Sequence, residues 1–409
     1  MCLKQTLAGA VLAVISTLPA QAQQQQTQLD CSKSFGFRAD VDGAIGATLC
    51  SANVDSFIDS AKNFSLSNSN YSEASAAMAQ GRFNDVNVVL QYERASNVLQ
   101  YRFTELGISG SFSGATREQS EDQFVEFMKK SDILGKVLRY QAQHSATSAI
   151  TGTGGAIPML ATADFASGFD AASRAGQENA NVNNLLGIGM GYNTYNIDGQ
   201  EDKVKTVSLP LSYTVRSDSD PRRQLVLSMP ITQVTTGGAR AYHAGLGMAV
   251  RLPLTERWTV SPGVRYSVVA SRDRATVATV MSGSLMSTYV LPLGKVDLAI
   301  GNMIGLYQTG KFSNGDYSFD PGVKLKLTRN GLMGAFPTAL FGGRISAEVS
   351  LIDTRYIGDK PFVSDSQEVG ITLGTNARAS NARSFTRVGL SYSRSNVDKG
   401  VNLNMGYWF

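Results

Sequence analysis

From about Leu185 to Phe409, apolar side chains recur at every second position, in runs spaced roughly 20 residues apart. No other feature limits the fold as tightly. Side chains on a strand alternate between faces, so a period of two gathers the apolar set on one face. The Gly, Ser, Thr, Arg and Lys between them fall on the other. The last run is the cleanest: Val401, Leu403, Met405, Tyr407 and Phe409 are separated by Asn402, Asn404 and Gly406. Val388, Leu390 and Tyr392 repeat the pattern, as do Val369, Ile371 and Leu373, and Ile345, Ala347, Val349 and Leu351. Upstream it recurs in Leu186 to Tyr192, Val207 to Val215, Leu225 to Ile231, Leu246 to Leu252 and Trp258 to Val268. Val323, Leu325 and Leu327 flank Lys324 and Lys326, and Thr276 to Leu291 and Val296 to Tyr307 alternate less cleanly. These runs make twelve strands, an even number, as single-chain bacterial barrels require.

A water-soluble sandwich also alternates, but its strands are commonly about 5–6 residues long. The apolar faces here continue for about nine to eleven residues, the length a tilted membrane-crossing strand needs. Tyr192, Tyr213, Tyr266, Tyr392 and Tyr407 fall near the ends of those faces, as girdle residues do. In lipid every backbone polar group must be paired, and a closed sheet is the strand arrangement that achieves it. Pro210, Pro230 and Pro262 inside strands predict strained or bulged pairing. The expected fold is mainly β: an antiparallel transmembrane β-barrel of about twelve strands over residues 185–409, with a small N-terminal α+β domain.

The N-terminus reads as a secretory signal peptide over residues 1–22. Lys4 is followed by an apolar stretch from Leu7 to Leu18 and by Ala20-Gln21-Ala22 before the cleavage point. The stretch is too short to span a bilayer, and Cys2 leaves with it. Residues 23–28 form a polar spacer. Cys31 and Cys50 remain, and in an oxidising compartment a lone pair at short separation is expected to form one disulfide. With no histidine nearby they cannot complete a zinc shell. The net charge of +4 is too even to point to nucleic acid.

Residues 29–146 have the composition of an ordinary α+β domain. Ala52 to Lys62 is spaced as a helix, and the alanine-rich stretch Ser72 to Gln80 suggests a second. Val86 to Tyr92 and Leu99 to Phe103 alternate as a hairpin. A helix opening at Thr116 puts Phe124, Phe127, Met128, Leu134 and Leu138 on one face, with Ser120 and Gln123 resembling a capping box. Residues 151–184 read as an Ala-rich linker or plug. Gly152, Gly154 and Gly155 precede Pro158 in the first turn of a slim helix expected over Met159 to Gln177.

Tyr407-Trp408-Phe409, with apolar residues at every second position back to Val401, resembles the terminal strand by which barrel-assembly machinery recognises its clients. The whole layout is similar to that of autotransporter β-domain proteins: leader, N-terminal domain, thin linker helix, about twelve strands. It departs from many of them in having an N-terminal part of only ~120 residues, without β-helical repeats or a protease motif. The resemblance implies a Gram-negative outer membrane and a barrel that translocates or anchors its own N-terminal domain. It also implies a linker helix inside the lumen. The partners it implies are outer-membrane lipids, the barrel-assembly machinery and a secreted or periplasmic protein.

No catalytic, cofactor or metal site is expected. The chain has two histidines, and His243 lacks a serine at short range while His144 suits a helix C-terminus. Gly187, Gly189 and Gly191 continue the strand period and are read as small inward residues, a seat for the linker helix. Arg251, Arg265, Lys324, Lys326, Arg344 and Arg387 are assigned to the inward face, against Asp297 and Glu348. Such residues either bias a pore toward anions or pair with plug carboxylates such as Asp164 and Asp170. The second reading is therefore a gated or passive anion-leaning channel, or a dedicated exporter, with a periplasmic N-terminal domain. A barrel-borne hydrolase is the third.

Overall fold

The computed structural model describes residues 29, 31, 33–169, 184–314, 317–375 and 385–408. The leader, the spacer and Phe409 lie outside these residues, as do 170–183 of the expected linker helix. Twelve antiparallel strands close on themselves. They are β7 (Asn184–Ile197), β8 (Val204–Arg216), β9 (Gln224–Thr236), β10 (Ala239–Pro253), β11 (Trp258–Ser271) and β12 (Thr276–Leu293). The circuit continues through β13 (Val296–Gly310), β16 (Lys324–Pro337), β17 (Ile345–Ile357), β18 (Asp365–Thr375), β19 (Phe385–Ser395) and β20 (Asp398–Trp408). Between β13 and β16 a loop carries the small hairpin β14 (Phe312–Asn314) and β15 (Tyr317–Phe319). The ring shuts where β20 pairs with β7, Trp408 opposite Gly187 and Asp398 opposite Ile197. An even strand number puts the start of β7 and the finish of β20 at one end, the base; the opposite end is the crown.

The expected alternation holds on the wall. Leu186, Ile188, Met190, Leu246, Met248, Ile371, Leu390 and Leu403 all point outward and are exposed. Outward aromatics form two rows. Tyr213, Trp258, Tyr289, Phe336 and Tyr407 lie toward the base, and Tyr192, Tyr242, Tyr266 and Tyr392 toward the crown. Trp258 and Tyr266 are eight residues apart on β11, roughly 27 Å along the strand, which suits an apolar band about 25 Å tall crossed at a tilt. This is the wall of an outer-membrane barrel.

Pro210, Pro230 and Pro262 produce no bulge. Between β7 and β8 the ladder passes from Ile188–Leu211 to Gly191–Ser208, skipping the stretch around Pro210 with the register unchanged. The β9–β10 ladder skips likewise at Pro230 and the β10–β11 ladder at Pro262. Each ring nitrogen lacks a donor on one side only, so the other ladder continues, with Pro210 opposite Pro230 and Pro262 opposite Leu285.

The N-terminal domain is a six-stranded antiparallel sheet in the order β2-β1-β3-β4-β5-β6. Its strands are β1 (Phe35–Val41), β2 (Leu49–Ser51), β3 (Ala77–Phe83), β4 (Val86–Tyr92), β5 (Val98–Phe103) and β6 (Ile108–Ser113). Helices α1 (Val54–Lys62), α2 (Arg117–Lys130) and α3 (Ile133–His144) accompany it. The stretch Ser72 to Gln80 is not helical: it is a loop running into β3. Ala77 and Ala79 point into the core, and a Cβ on Gly81 would stand 2.6 Å from Val88 and 3.0 Å from Phe57. Packing against the aromatics of α1 and β1 thus overrides alanine's helix propensity. The helix opening at Thr116 breaks at Ser131 and Asp132 into α2 and α3. Its cap is Thr116, whose side chain accepts from the Gln119 N–H; Ser120 is buried and donates to the Asn97 carbonyl.

Cys31 and Cys50 are bonded to each other, Cα atoms 5.8 Å apart. Closing a loop of that size contributes roughly 3 kcal/mol. Arg117 is buried under the loops at either side of the sheet, donating to the carbonyls of Ser72, Ser75, Glu93 and Ser96 and stacking 4.3 Å from the Tyr92 ring centre. Next to it, burial pushes the Glu121 carboxyl up to about 7 against the pull of Tyr92 and Arg117.

This domain stands on the crown. The Asn84-Asp85 turn of the β3–β4 hairpin, both residues with positive φ, brings the Asn84 amide to the Arg274 carbonyl at 2.7 Å. Val54 N–H donates to Asp273 O, Arg139 Nε to Pro321 O, and Lys33 pairs with Asp202 at 2.5 Å. Every barrel residue in that set lies in a crown loop.

Candidate functional site

The feature that joins domain and barrel is α4 (Ala156–Phe169), and it lies inside the lumen. It begins three residues earlier than the expected Met159, and its continuation toward Gln177, with Asp170, falls outside the described residues. The connection from α3 folds into a compact knot over residues 145–155. Gly154 (φ +70) sits so close to the wall that a Cβ would stand 2.8 Å from Thr206, and no other residue type suits that conformation and space. Thr153 donates to Asp398, Arg274 to the Thr147 carbonyl, and Thr151 to the Ala142 carbonyl at 2.8 Å.

Around this knot the crown half of the lumen is dry. Ala146, Ala149, Ile150 and Ile157 share one buried cluster with the inward residues Val204, Val234, Val269, Val280, Leu325 and Leu327. His243 faces inward here too and is buried beside Gly154. Among the described residues its Nε2 has no hydrogen-bond partner. His144 ends α3, stacks on Tyr140 at 4.1 Å and meets the Tyr140 carbonyl through Nδ1.

Toward the base the helix is fixed by polar bonds on one side. Asp164 is the hub: Arg265 Nε donates to it at 2.7 Å, Tyr307 Oη at 3.0 Å and Ser282 Oγ at 3.3 Å. Arg251 donates to the Ser167 carbonyl at 2.9 Å through Nε and to Gln224 at 2.6 Å. Phe165 and Phe169 lie over Gly331 and Gly301, where Cβ atoms would stand 2.7 and 2.5 Å from the rings. The Arg329 guanidinium lies 5.3 Å from the Phe165 ring centre. The seat of the described helix is thus Gly301 and Gly331 on β13 and β16. Gly187, Gly189 and Gly191 face Ser212, Pro210 and Ser208 across β8 instead, and the first two line open space.

That open space is a cavity of about 400 Å³ between the free side of α4 and the opposite wall. Thr162, Ala163 and Ala166 face Ser208, Ser212, Ser350, Ser391 and Asn404 across it. Two ion pairs edge it: Arg329 with Glu368 at 2.8 Å, and Arg387 with Glu348.

Of the six basic residues assigned to the lumen, Arg251, Arg265 and Arg387 point into it. Lys324 and Lys326 do not: both are exposed on the outer wall of β16, while Leu325 and Leu327 take the inside. The apolar side chains turn inward because the crown half of the lumen is dry, and the lysines clear the apolar band. Arg344 follows the turn Leu340–Gly343 at the base and is exposed there. The inward cation that sequence reasoning missed is Arg329. Following the even-numbered parity of Leu332 and Phe336 back along the strand finds it. Asp297 has inward parity near the base, Tyr407 points outward, and Trp408 turns in beside Gly187 and Gly406. Among the described residues no group of three or more His, Cys, Asp or Glu is placed to hold a metal ion.

No family model matches the sequence, and no curated protein sequence is similar to it. Solved structures share the barrel. The β domain of the Bordetella autotransporter BrkA is 12% identical with a TM-score of 0.45, covering 56% of this chain and 99% of its own. The translocator domain of the autotransporter NalP from Neisseria meningitidis is 12% identical with a TM-score of 0.43, covering 62% and 98%. An outer membrane channel from Pseudomonas putida F1 is 14% identical with a TM-score of 0.40, covering 57% and 97%. Translocators and channels stand side by side at this distance, so the likeness does not choose between roles.

Proposed function

We propose that the barrel anchors its own N-terminal domain, residues 29–146, on the outer surface of the cell and is the route by which that domain got there. One observation carries this reading: the domain stands on the crown, whereas the first barrel strand starts at the base. The chain passes from one end of the barrel toward the other through α4, inside the lumen. A leader delivers the chain to the periplasm, so the base, where β7 starts and β20 finishes, is read as the periplasmic end. The domain then faces outward. Tyr407 and Trp408 belong to the terminal signal for assembly machinery on that same side. The channel reading has the 400 Å³ cavity in its favour. Against it stands the close packing of the crown half, which leaves only about 10 Å³ open beside the knot.

The test is an epitope placed in the exposed turn Thr104–Gly107 of the full chain. Protease added to intact cells is expected to remove the epitope and leave the barrel. Protection until the outer membrane is permeabilised contradicts the reading.

A further inference from the structure

The outer wall is charged at one end only. Among the described residues, every charged side chain that points outward from a barrel strand lies in the half nearest the crown. Toward the base the same face carries aromatic and aliphatic residues. At the crown end Lys205, Arg240, Lys324, Lys326, Arg394 and Lys399 are all exposed. Register places them in one row just beyond the crown tyrosines. Arg394 follows Tyr392 by two residues and Arg240 precedes Tyr242 by two. Arg394 stands directly opposite Lys399, and Lys205 and Arg240 share Thr235 as their cross-strand neighbour. Arg355 continues the row but is paired with Asp353 at 2.9 Å; Asp365 lies opposite it, and Asp198 is 3.9 Å from Lys399.

Like charges facing each other across a ladder, as Arg394 and Lys399 do, are destabilising unless an anion lies between them. Besides Asp198, Asp353 and Asp365, the anions available at this height are lipid phosphates, since the row sits where the apolar band gives way to headgroups.

We infer that this belt binds the phosphates of the phosphorylated glycolipid that fills the outer leaflet of a Gram-negative outer membrane. The choice of the outer leaflet rests on the reading of the crown as the outward end. The belt then clamps the barrel's height and holds the crown loops under the domain. Bidentate Arg394 and Arg240 grip phosphate oxygens, while the lysines act as point charges at the rim.

The experiment uses the full chain in neutral detergent, where direction in a membrane does not enter, so it fails independently of the surface-display assay. Diphosphoryl lipid A is titrated against the protein by native mass spectrometry, beside dephosphorylated lipid A, phosphatidylglycerol and millimolar inorganic phosphate as competitor. Preferential binding of the diphosphoryl form, undisplaced by free phosphate, is expected. The variant Lys324→Gln, Lys326→Gln, Arg394→Gln, Lys399→Gln is expected to bind it at least ~10-fold more weakly, since each cation near such a surface is worth about fivefold. The base-turn variant Arg222→Gln, Arg223→Gln is expected to bind as the parent does. Retained heat-modifiable gel mobility establishes that each barrel is folded; if the four-residue variant loses it, the pair Lys324→Gln, Lys326→Gln is read alone. Equal binding of dephosphorylated lipid A, equal affinity for phosphatidylglycerol, displacement by free phosphate, or unweakened binding by the folded variant overturns the inference.

Discussion

The two halves of the lumen are built on opposite principles. At the crown, the knot of residues 145–155 and the first turn of α4 pack mainly against inward valines, leucines and alanines, with only about 10 Å³ left open beside the knot. At the base, the same helix touches one wall through Asp164, Ser167 and two phenylalanines, and on the other side faces a cavity of about 400 Å³ where serines and two ion pairs are mixed with apolar side chains. Apolar packing is strong in sum and excludes water, which suits a seal. A few directed hydrogen bonds beside an open gap fix position and register but close nothing. On the proposed reading, sealing and anchoring are separate jobs on one helix, the first done beneath the domain and the second deeper in the barrel.

The largest effect that can break this comparison comes from removing the plug. Deleting Ala156–Phe169 is expected to convert a barrel with no resolvable conductance into an open pore in planar bilayers. That pore should lean toward anions, because Arg265 loses Asp164 and Arg251 loses the Ser167 carbonyl. Conductance unchanged by the deletion contradicts a helix-filled lumen. A smaller effect isolates the anchor. Asp164→Ala leaves the buried Arg265 without its carboxylate and is expected to cost about 3–5 kcal/mol. Thermal loss of heat-modifiable mobility in detergent reports it, and pairing Asp164→Leu with Arg265→Met should restore most of the loss. The mildest test concerns fit. Gly301→Ala, which drives a methyl group against Phe169, is expected to cost about 1–3 kcal/mol. Gly283→Ala, where nothing lies within 4 Å, should stay within about 0.5 kcal/mol of the parent in the same assay.

How much of this was legible follows from where lipid touches the chain. Twelve strands could be read because hydrocarbon on one face and water on the other impose a period of two that nothing local disguises. The reading slipped on β16, where the inward partner is protein rather than water. Leu325 and Leu327 look lipid-facing by composition, and assigning them so turned Lys324 and Lys326 inward and hid Arg329. The rest of that strand, with Leu332 and Phe336 outward, carries the correct parity. The plug announced itself as a slim alanine-rich helix, but its seat did not. Glycines at 187, 189 and 191 and at 301 and 331 are equivalent by pattern, and only the lateral placement of α4 separates them. In the domain, Ala77 and Ala79 read as helix formers because the bulk of Phe57, which demands small neighbours, acts from a distant part of the chain.

The central claim is that α4 lies within the barrel wall, and a paired cysteine substitution asks that directly. A Cβ built on Gly168 stands 3.2 Å from the Met286 Cβ on β12, close to the spacing a disulfide spans. Gly168→Cys with Met286→Cys, in native membranes under mild oxidation, is expected to form that bond and to shift mobility on a non-reducing gel. Two free thiols, both labelled by a membrane-impermeant maleimide under the same conditions, would place the helix outside the lumen and contradict the account.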